Sequence, residues 1–215
     1  MTATEIWQEL WSREITEDRL REALAQLDDA PTSLSVQGMR AQMLAQLARW
    51  DSDREQEARE ALEAVAMLLD AAPARERLPA CIHGFDAALA LDDIALSERF
   101  FDLARESASG DDRGQVAIHY YNNLGCHLRN RGEFRQAVTE LHRALECAGP
   151  NDDTTAVYHN LATVHARLHN VEEARPYMEL VAEAWGLSDG WPDSHWFASM
   201  PAAVMEEIRE RYGAG

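Results

Sequence analysis

The sequence contains no lysine, so its basic residues are all arginine. The 20 arginines are set against 38 aspartates and glutamates, which gives a formal net charge of −18 at pH 7. Binding to a nucleic-acid backbone needs a basic surface, so nucleic acid is not expected as a partner. A basic partner protein would be attracted at low salt, but a surface tuned for solubility explains the same charge. The use of arginine to the exclusion of lysine is also typical of a bacterium with a high-GC genome.

Long apolar runs are absent as well. No stretch approaches the roughly 18 apolar residues that span a membrane, and the N-terminal Met-Thr-Ala-Thr-Glu lacks the layout of a signal peptide. Cysteine is scarce, since Cys81, Cys126 and Cys147 lie far apart among apolar residues. They are expected to be reduced core thiols. These features predict a cytoplasmic protein with no membrane partner.

Motifs that carry chemistry are missing too. The sequence has no Gly-rich phosphate loop, no Cys-x-x-Cys and no nucleophile elbow. His165 and His169 have the spacing of two metal ligands on one helix face, but no third ligand accompanies them. Asp193, Ser194 and His195 are neighbours in sequence, whereas the members of a catalytic triad meet through the fold. We therefore expect a protein that is not an enzyme and that holds no cofactor or metal.

What the sequence does contain is a pattern that occurs twice. The Leu124-Gly125 pair of the first copy and the Leu161-Ala162 pair of the second lie 37 residues apart. A period of about 20 to 50 residues is typical of stacked repeat proteins. In each copy apolar residues recur at the spacing of a helix face. This pattern is interrupted near Gly132 in the first copy and near Asn170 in the second, and then continues. Each copy is therefore predicted to be a pair of amphipathic helices.

These residues resemble the tetratricopeptide repeat family, whose helix pairs of about 34 residues place Leu-Gly, Tyr, Ala, Phe, Ala and Pro at set positions. The first copy, 118–151, matches at Tyr121, Leu124, Gly125, Phe134, Ala137, Leu141 and Ala144 and ends at Gly149-Pro150. The second copy, 155–188, departs from the pattern at Ala162, His165 and Val181 and lacks the closing proline. The resemblance implies stacked helix pairs in which small residues such as Gly125 and Ala137 let two helices approach closely.

The rest of the chain follows the same logic with a weaker motif. Residues 1–110 are expected to form degenerate helix pairs over about 3–28, 33–71 and 78–106, and residues 194–215 a C-terminal cap. The expected fold is thus all-α: a right-handed superhelical solenoid of about five antiparallel helix pairs over 1–215. The cap helix is predicted from about 201 to 212, because Ser199 and Pro201 form a helix start.

The resemblance also points to a binding site. In this family the first helix of each pair lines a concave groove, and several peptide-binding members place an Asn there. Asn123 and Asn160 occupy that position in the two copies, and an amide offers both a donor and an acceptor to a peptide backbone. The alternative is a surface Asn that bonds to solvent or to a neighbour. His83, which precedes Gly84, is a candidate counterpart of Asn123 in the preceding unit.

Further candidates share these helix faces, and the arginines among them would pair with a carboxylate of a ligand. They are His119, Asn122, Arg129 and Asn130 from the first copy, with Cys126, and His159, Thr163 and Arg167 from the second. The alternative for each arginine is an ordinary exposed side chain. The chain lacks the lysines on which the family's two-carrier carboxylate clamp relies, so recognition of a chaperone C-terminus in that way is not expected.

Two classes of function follow. The first is a non-enzymatic adaptor that binds a peptide or helix of a partner protein in the groove. The second is a regulatory or sensor protein that acts through a partner complex, including an acidic mimic that binds a basic protein. Aromatic residues at both ends either pack the terminal helices or anchor a partner or second copy in a homodimer. They are Trp7 and Trp11 at one end and Trp191, Trp196 and Phe197 at the other.

Overall fold

The computed structural model describes residues 2–12, 15–110, 112–187, 197 and 200–212. Over these ranges the regular elements are eleven α-helices, without a strand. They are α1 (Ala3–Trp11), α2 (Glu17–Asp28), α3 (Leu34–Leu47), α4 (Asp53–Leu69), α5 (Ala74–Ala90), α6 (Ile94–Ser107), α7 (Asp112–Asn130), α8 (Phe134–Glu146), α9 (Thr155–Arg167), α10 (Val171–Ala184) and α11 (Ala202–Tyr212). The all-α prediction is confirmed. The stacking of these helices into a right-handed superhelix stays a prediction.

The chain divides into two compact units, Met1–Val116 and Ala117–Gly215, and the division falls within α7. In the first unit α1 packs on α2, α3 contacts α2, α4 and α5, and α5 contacts α4 and α6. Side-chain caps fix several helix starts, because the hydroxyls of Thr2, Thr16 and Ser33 each accept a backbone N–H from the first turn. No helix in the described ranges combines the length and the apolar character needed to cross a membrane.

Two glycines bring the helices of a pair into close contact. A Cβ placed on Gly84 in α5 would lie 2.4 Å from the ring of Phe100 in α6. In the second unit a Cβ on Gly125 in α7 would lie 2.6 Å from Leu141 Cγ and 3.3 Å from the Ala137 carbonyl of α8. Only a residue without a side chain fits either place. The close approach predicted at Gly125 and Ala137 is therefore present.

The second unit is closed by α11. α9 packs against α8 and α10, and α10 contacts α11. Phe197, Val204 and Ile208 are at most 1% exposed and join one apolar cluster with residues of α9 and α10, including Ala162 and Met178. α11 begins one residue after Pro201, close to the start that the sequence predicted. Its apolar face covers residues of the last helix pair that would otherwise meet water.

Four helices end in the same way. Asp92, Gly132, His169 and Gly186 follow α5, α7, α9 and α10 with positive φ angles of 61°, 80°, 57° and 61°. The next residue donates its N–H to the carbonyl five positions back, at 2.8 or 2.9 Å: Asp93 to Ala88, Glu133 to Leu128, Asn170 to His165 and Leu187 to Ala182. This is the Schellman arrangement, which satisfies carbonyls that the helix end leaves without partners. Three of the four closures lie between the helices of a pair.

The structure moves several predicted boundaries. α7 begins at Asp112, six residues before the predicted start of the first copy, and α5 begins at Ala74 rather than near 78. Pro73 ends the preceding turn and stands at the N-cap of α5. Proline is accepted at a helix start because the first N–H groups lack helical partners in any case. Pro73 therefore lies both at the end of the predicted helix pair 33–71 and at the beginning of α5.

Candidate functional site

Polar side chains on α7 form a row along one face of the helix. Asn123 Nδ2 lies 3.2 Å from His119 Nε2, one turn earlier. Asn122 Nδ2 lies 3.4 Å from Asn123 Oδ1, which is a long hydrogen bond. Asn122 and Asn123 are half-buried and His119 is exposed. The helix thus presents two adjacent amides with part of their surface in water.

Asn160 of α9 connects this row to the end of α7. Its Nδ2 donates to Asn122 Oδ1 at 2.8 Å, and its Oδ1 accepts from Arg129 Nη1 at 2.9 Å. Asn160 is only 8% exposed. Asn is a weak helix former, so its use at a buried helical position needs such a compensating contact. Asn160 therefore holds two α7 side chains in place. Asn123, by contrast, bonds to His119 and Asn122 of its own helix. That Asn160 also contacts a ligand stays a prediction.

Arg129 is bonded to amides. Its Nε and Nη2 both lie near Asn130 Oδ1, at 3.4 and 3.3 Å, in addition to the bond from Nη1 to Asn160. No carboxylate within the described ranges forms an ion pair with it. Hydrogen bonds from a guanidinium to neutral amides orient the group without neutralising its charge. The structure thus joins His119, Asn122, Asn123, Arg129, Asn130 and Asn160 in one hydrogen-bonded series.

The other candidates of α9 have different surroundings. The Thr163 hydroxyl donates to the carbonyl of His159 in its own helix at 2.8 Å, and Thr163 is 4% exposed. The His159 ring lies 5.9 Å from that of Trp185 and 6.3 Å from that of Phe197. Arg167 is exposed at the end of α9. Thr163 therefore has little surface for a ligand, whereas His159 and Arg167 border the face.

A second polar network lies in the first unit and was not predicted. His83 Nδ1 is 2.8 Å from Gln42 Oε1, and Gln42 Nε2 donates to Asp86 Oδ2 at 3.1 Å. His83 also meets the ring of Trp7 edge-on, 4.5 Å away. Gln42 within the largely apolar α3 was the signal that could have located it. That His83 is the counterpart of Asn123 in the preceding unit stays a prediction.

The remaining histidines and the cysteines have structural surroundings. His165 is buried and stacked on Tyr177 at 5.9 Å, while His169 lies beyond the end of α9. Burial lowers the pKa of His165 from its ordinary value, with a smaller effect from His142 in the same direction and an opposing one from Glu173. Over the described residues, no group of three or more His, Cys, Asp or Glu is placed to hold a metal ion.

The three cysteines form no disulfide. Burial raises the pKa of the Cys81 thiol to about 12 and also raises that of Cys126.

Several of the predicted positions lie outside the described residues. They are Trp191, Asp193, Ser194, His195, Trp196 and Ser199, and the side chain of Trp11 is also outside them.

Comparisons of the chain with models of known protein families, with curated proteins and with solved structures found no significant match. The tetratricopeptide resemblance therefore rests on the residues of 118–188.

Proposed function

We propose that the chain is a non-enzymatic adaptor of the tetratricopeptide type, which binds an extended peptide of a partner protein along α7 and α9. The proposed architecture is a right-handed array of about five helix pairs, with the first helices lining a concave groove. The site geometry that carries the proposal is the hydrogen-bonded series from His119 to Asn160. It presents ordered amides on neighbouring helices without an arrangement suited to catalysis.

Amide side chains fit this role because each offers two N–H donors and two acceptor lone pairs. Asn122 uses one donor toward Asn123 and one acceptor toward Asn160, so it keeps capacity for a further partner. An extended peptide presents the same alternation of N–H and C=O groups, whatever its sequence. Asn122 and Asn123 are exposed enough to make such contacts. The buried Asn160 orients Asn122 by donating a hydrogen bond to it.

The test begins with a display selection of peptides on the intact protein. Affinities of the selected peptides are then measured by fluorescence anisotropy for the parent and for Asn123→Ala. Loss of a backbone hydrogen bond is expected to weaken binding by about five- to tenfold. Asn151→Ala is the matched control, since Asn151 is exposed in the turn between α8 and α9.

Thermal stability of both variants should remain near that of the parent, because Asn123 is half-buried and its bonds to His119 and Asn122 lie within its own helix. If Asn123→Ala and Asn151→Ala bind every selected peptide with equal affinity, Asn123 is not part of the binding site. Failure to select any peptide would count against the adaptor function itself. Asn160→Ala is unsuitable here, because it would leave Asn122 and Arg129 without a partner that orders them.

A further inference from the structure

The charge of α7 and α9 has the opposite sign to that of the chain. Between Arg113 and Arg131, and again between Thr154 and Val171, the sequence has no aspartate or glutamate. These stretches cover α9 and all of α7 after its first two residues. The acidic residues of the neighbouring helices lie instead on α8, at Glu140 and Glu146, and on α10, at Glu172, Glu173, Glu179 and Glu183.

Arg129 lies on α7 within the first of these stretches without acidic residues. Its amide partners fix the guanidinium, and within the described ranges no carboxylate pairs with it. One N–H on each Nη atom remains beyond the bonds to Asn130 and Asn160, and a carboxylate accepts such a pair as a fork. By contrast, Arg131, Arg143 and Arg175 each pair with a glutamate of the chain.

We infer that the peptide bound along α7 and α9 is acidic, and that Arg129 binds one of its side-chain carboxylates. This inference rests on the proposed function and names its ligand. A basic segment would meet the positive charge of Arg129, and neither α9 nor α7 after Arg113 carries a carboxylate that could balance the segment's charge. The stretches without acidic residues cover two helices, so a segment with several acidic side chains meets no repulsion from carboxylates along either of them.

The probe is a set of degenerate peptide libraries of equal length, with alternate positions fixed as glutamate, glutamine or lysine and with amidated C-termini. Binding of each library to the intact protein is measured by anisotropy at low and high salt. The glutamate library is expected to bind most tightly and to lose affinity as salt screens the charges. Arg129→Gln should weaken its binding about tenfold or more and leave the glutamine library nearly unchanged.

Arg135→Gln is the matched control, because it removes the same charge from an exposed position on α8. Arg129→Lys keeps the charge without the fork and is expected to lie between the parent and Arg129→Gln. Tightest binding of the lysine library, or equal weakening by Arg129→Gln and Arg135→Gln, would overturn the inference. A free-acid glutamine library that binds as tightly as the glutamate library would also overturn it, since the chain terminus would then be the anion.

The outcomes separate this inference from the proposed function. If the glutamine library binds through Asn123 and the glutamate library binds no more tightly, the adaptor function is retained and the acidic ligand is refuted. Absence of binding by all libraries would refute both. Circular dichroism of each variant shows whether a loss of affinity reflects a loss of fold, and Arg129→Lys keeps the test valid if Arg129→Gln unfolds.

Discussion

Gly84→Ala sets two physical effects against each other. Alanine is the better helix former, and in an exposed helix this exchange would raise stability by about 1 kcal/mol. In α5 the new Cβ would lie 2.4, 2.5 and 2.9 Å from three atoms of the Phe100 ring. Ordinary carbon contacts are about 3.5–4.0 Å, so the ring or the helix must move by about 1 Å.

The movement is costly because Phe100 is 1% exposed, so the ring cannot turn into solvent. Overpacking of this kind costs about 1–3 kcal/mol, and a displacement of this size belongs near the upper end. After the gain in helix propensity, we expect a net loss of about 2 kcal/mol. For a chain of this length that loss lowers Tm by about 4–8 °C. Urea denaturation followed by far-ultraviolet circular dichroism measures it directly.

A double-mutant cycle with Phe100→Leu locates the cause. Removing the ring should relieve the clash, so the two substitutions together are expected to cost about 1–2 kcal/mol less than the sum of their separate effects. Gly38→Ala serves as a comparison, because its Cβ would come no closer than 3.1 Å to another atom and should change stability less. If Gly84→Ala is as stable as the parent or more so, helix propensity has outweighed packing and the reasoning is wrong.

Three further predictions concern other parts of the chain. The pKa of His165 is lowered in the folded state, so its contribution to stability is complete above about pH 6.5 and is lost as the pH falls below it. His165→Phe should flatten the pH dependence of Tm, and an unchanged slope would assign that dependence elsewhere. Ile208→Ala should cost about 2–5 kcal/mol in urea denaturation because Ile208 is fully buried, and parent-like stability would show that α11 is dispensable. Cys81, with its pKa raised to about 12, should resist iodoacetamide in the native state and react after denaturation, as read by mass spectrometry.

The sequence predicted the helices well where apolar spacing and chain breaks agree. The turn at Gly132 and the tight contact at Gly125 followed from residues whose small size or backbone freedom leaves few alternatives. The turns at Asp92 and His169 were harder to place, since Asp and His adopt a positive φ more often than most residues but far less often than glycine. The start of α7 was misplaced because residues 112–117 lack the repeat motif although they are helical.

The candidate site could be predicted only in part. The repeat identified Asn123 and Asn160 as equivalent candidates, but the bond between Asn122 and Asn160 was not predicted. Neighbouring residues on a helix point in directions about 100° apart, so the choice between them depends on the packing of α7 against α9. Arg129 was predicted to pair with a carboxylate of a ligand, which stays a prediction, and its bonds to Asn130 and Asn160 within the chain were not predicted. Contacts between helices are set by tertiary packing, which a single sequence does not specify.

The Schellman closures bear on how such a protein can diverge. Each reversal depends on the φ angle of one residue and on backbone hydrogen bonds, and Gly, Asp and His all supply that residue here. No particular side chain is required to end the helix, so the length of a helix pair can persist while its recognisable residues are replaced. The repeat is then carried by backbone geometry after its sequence motif has faded. Within residues 1–110 the turn after α5 is closed in this way by Asp92, where the sequence motif is hardly visible.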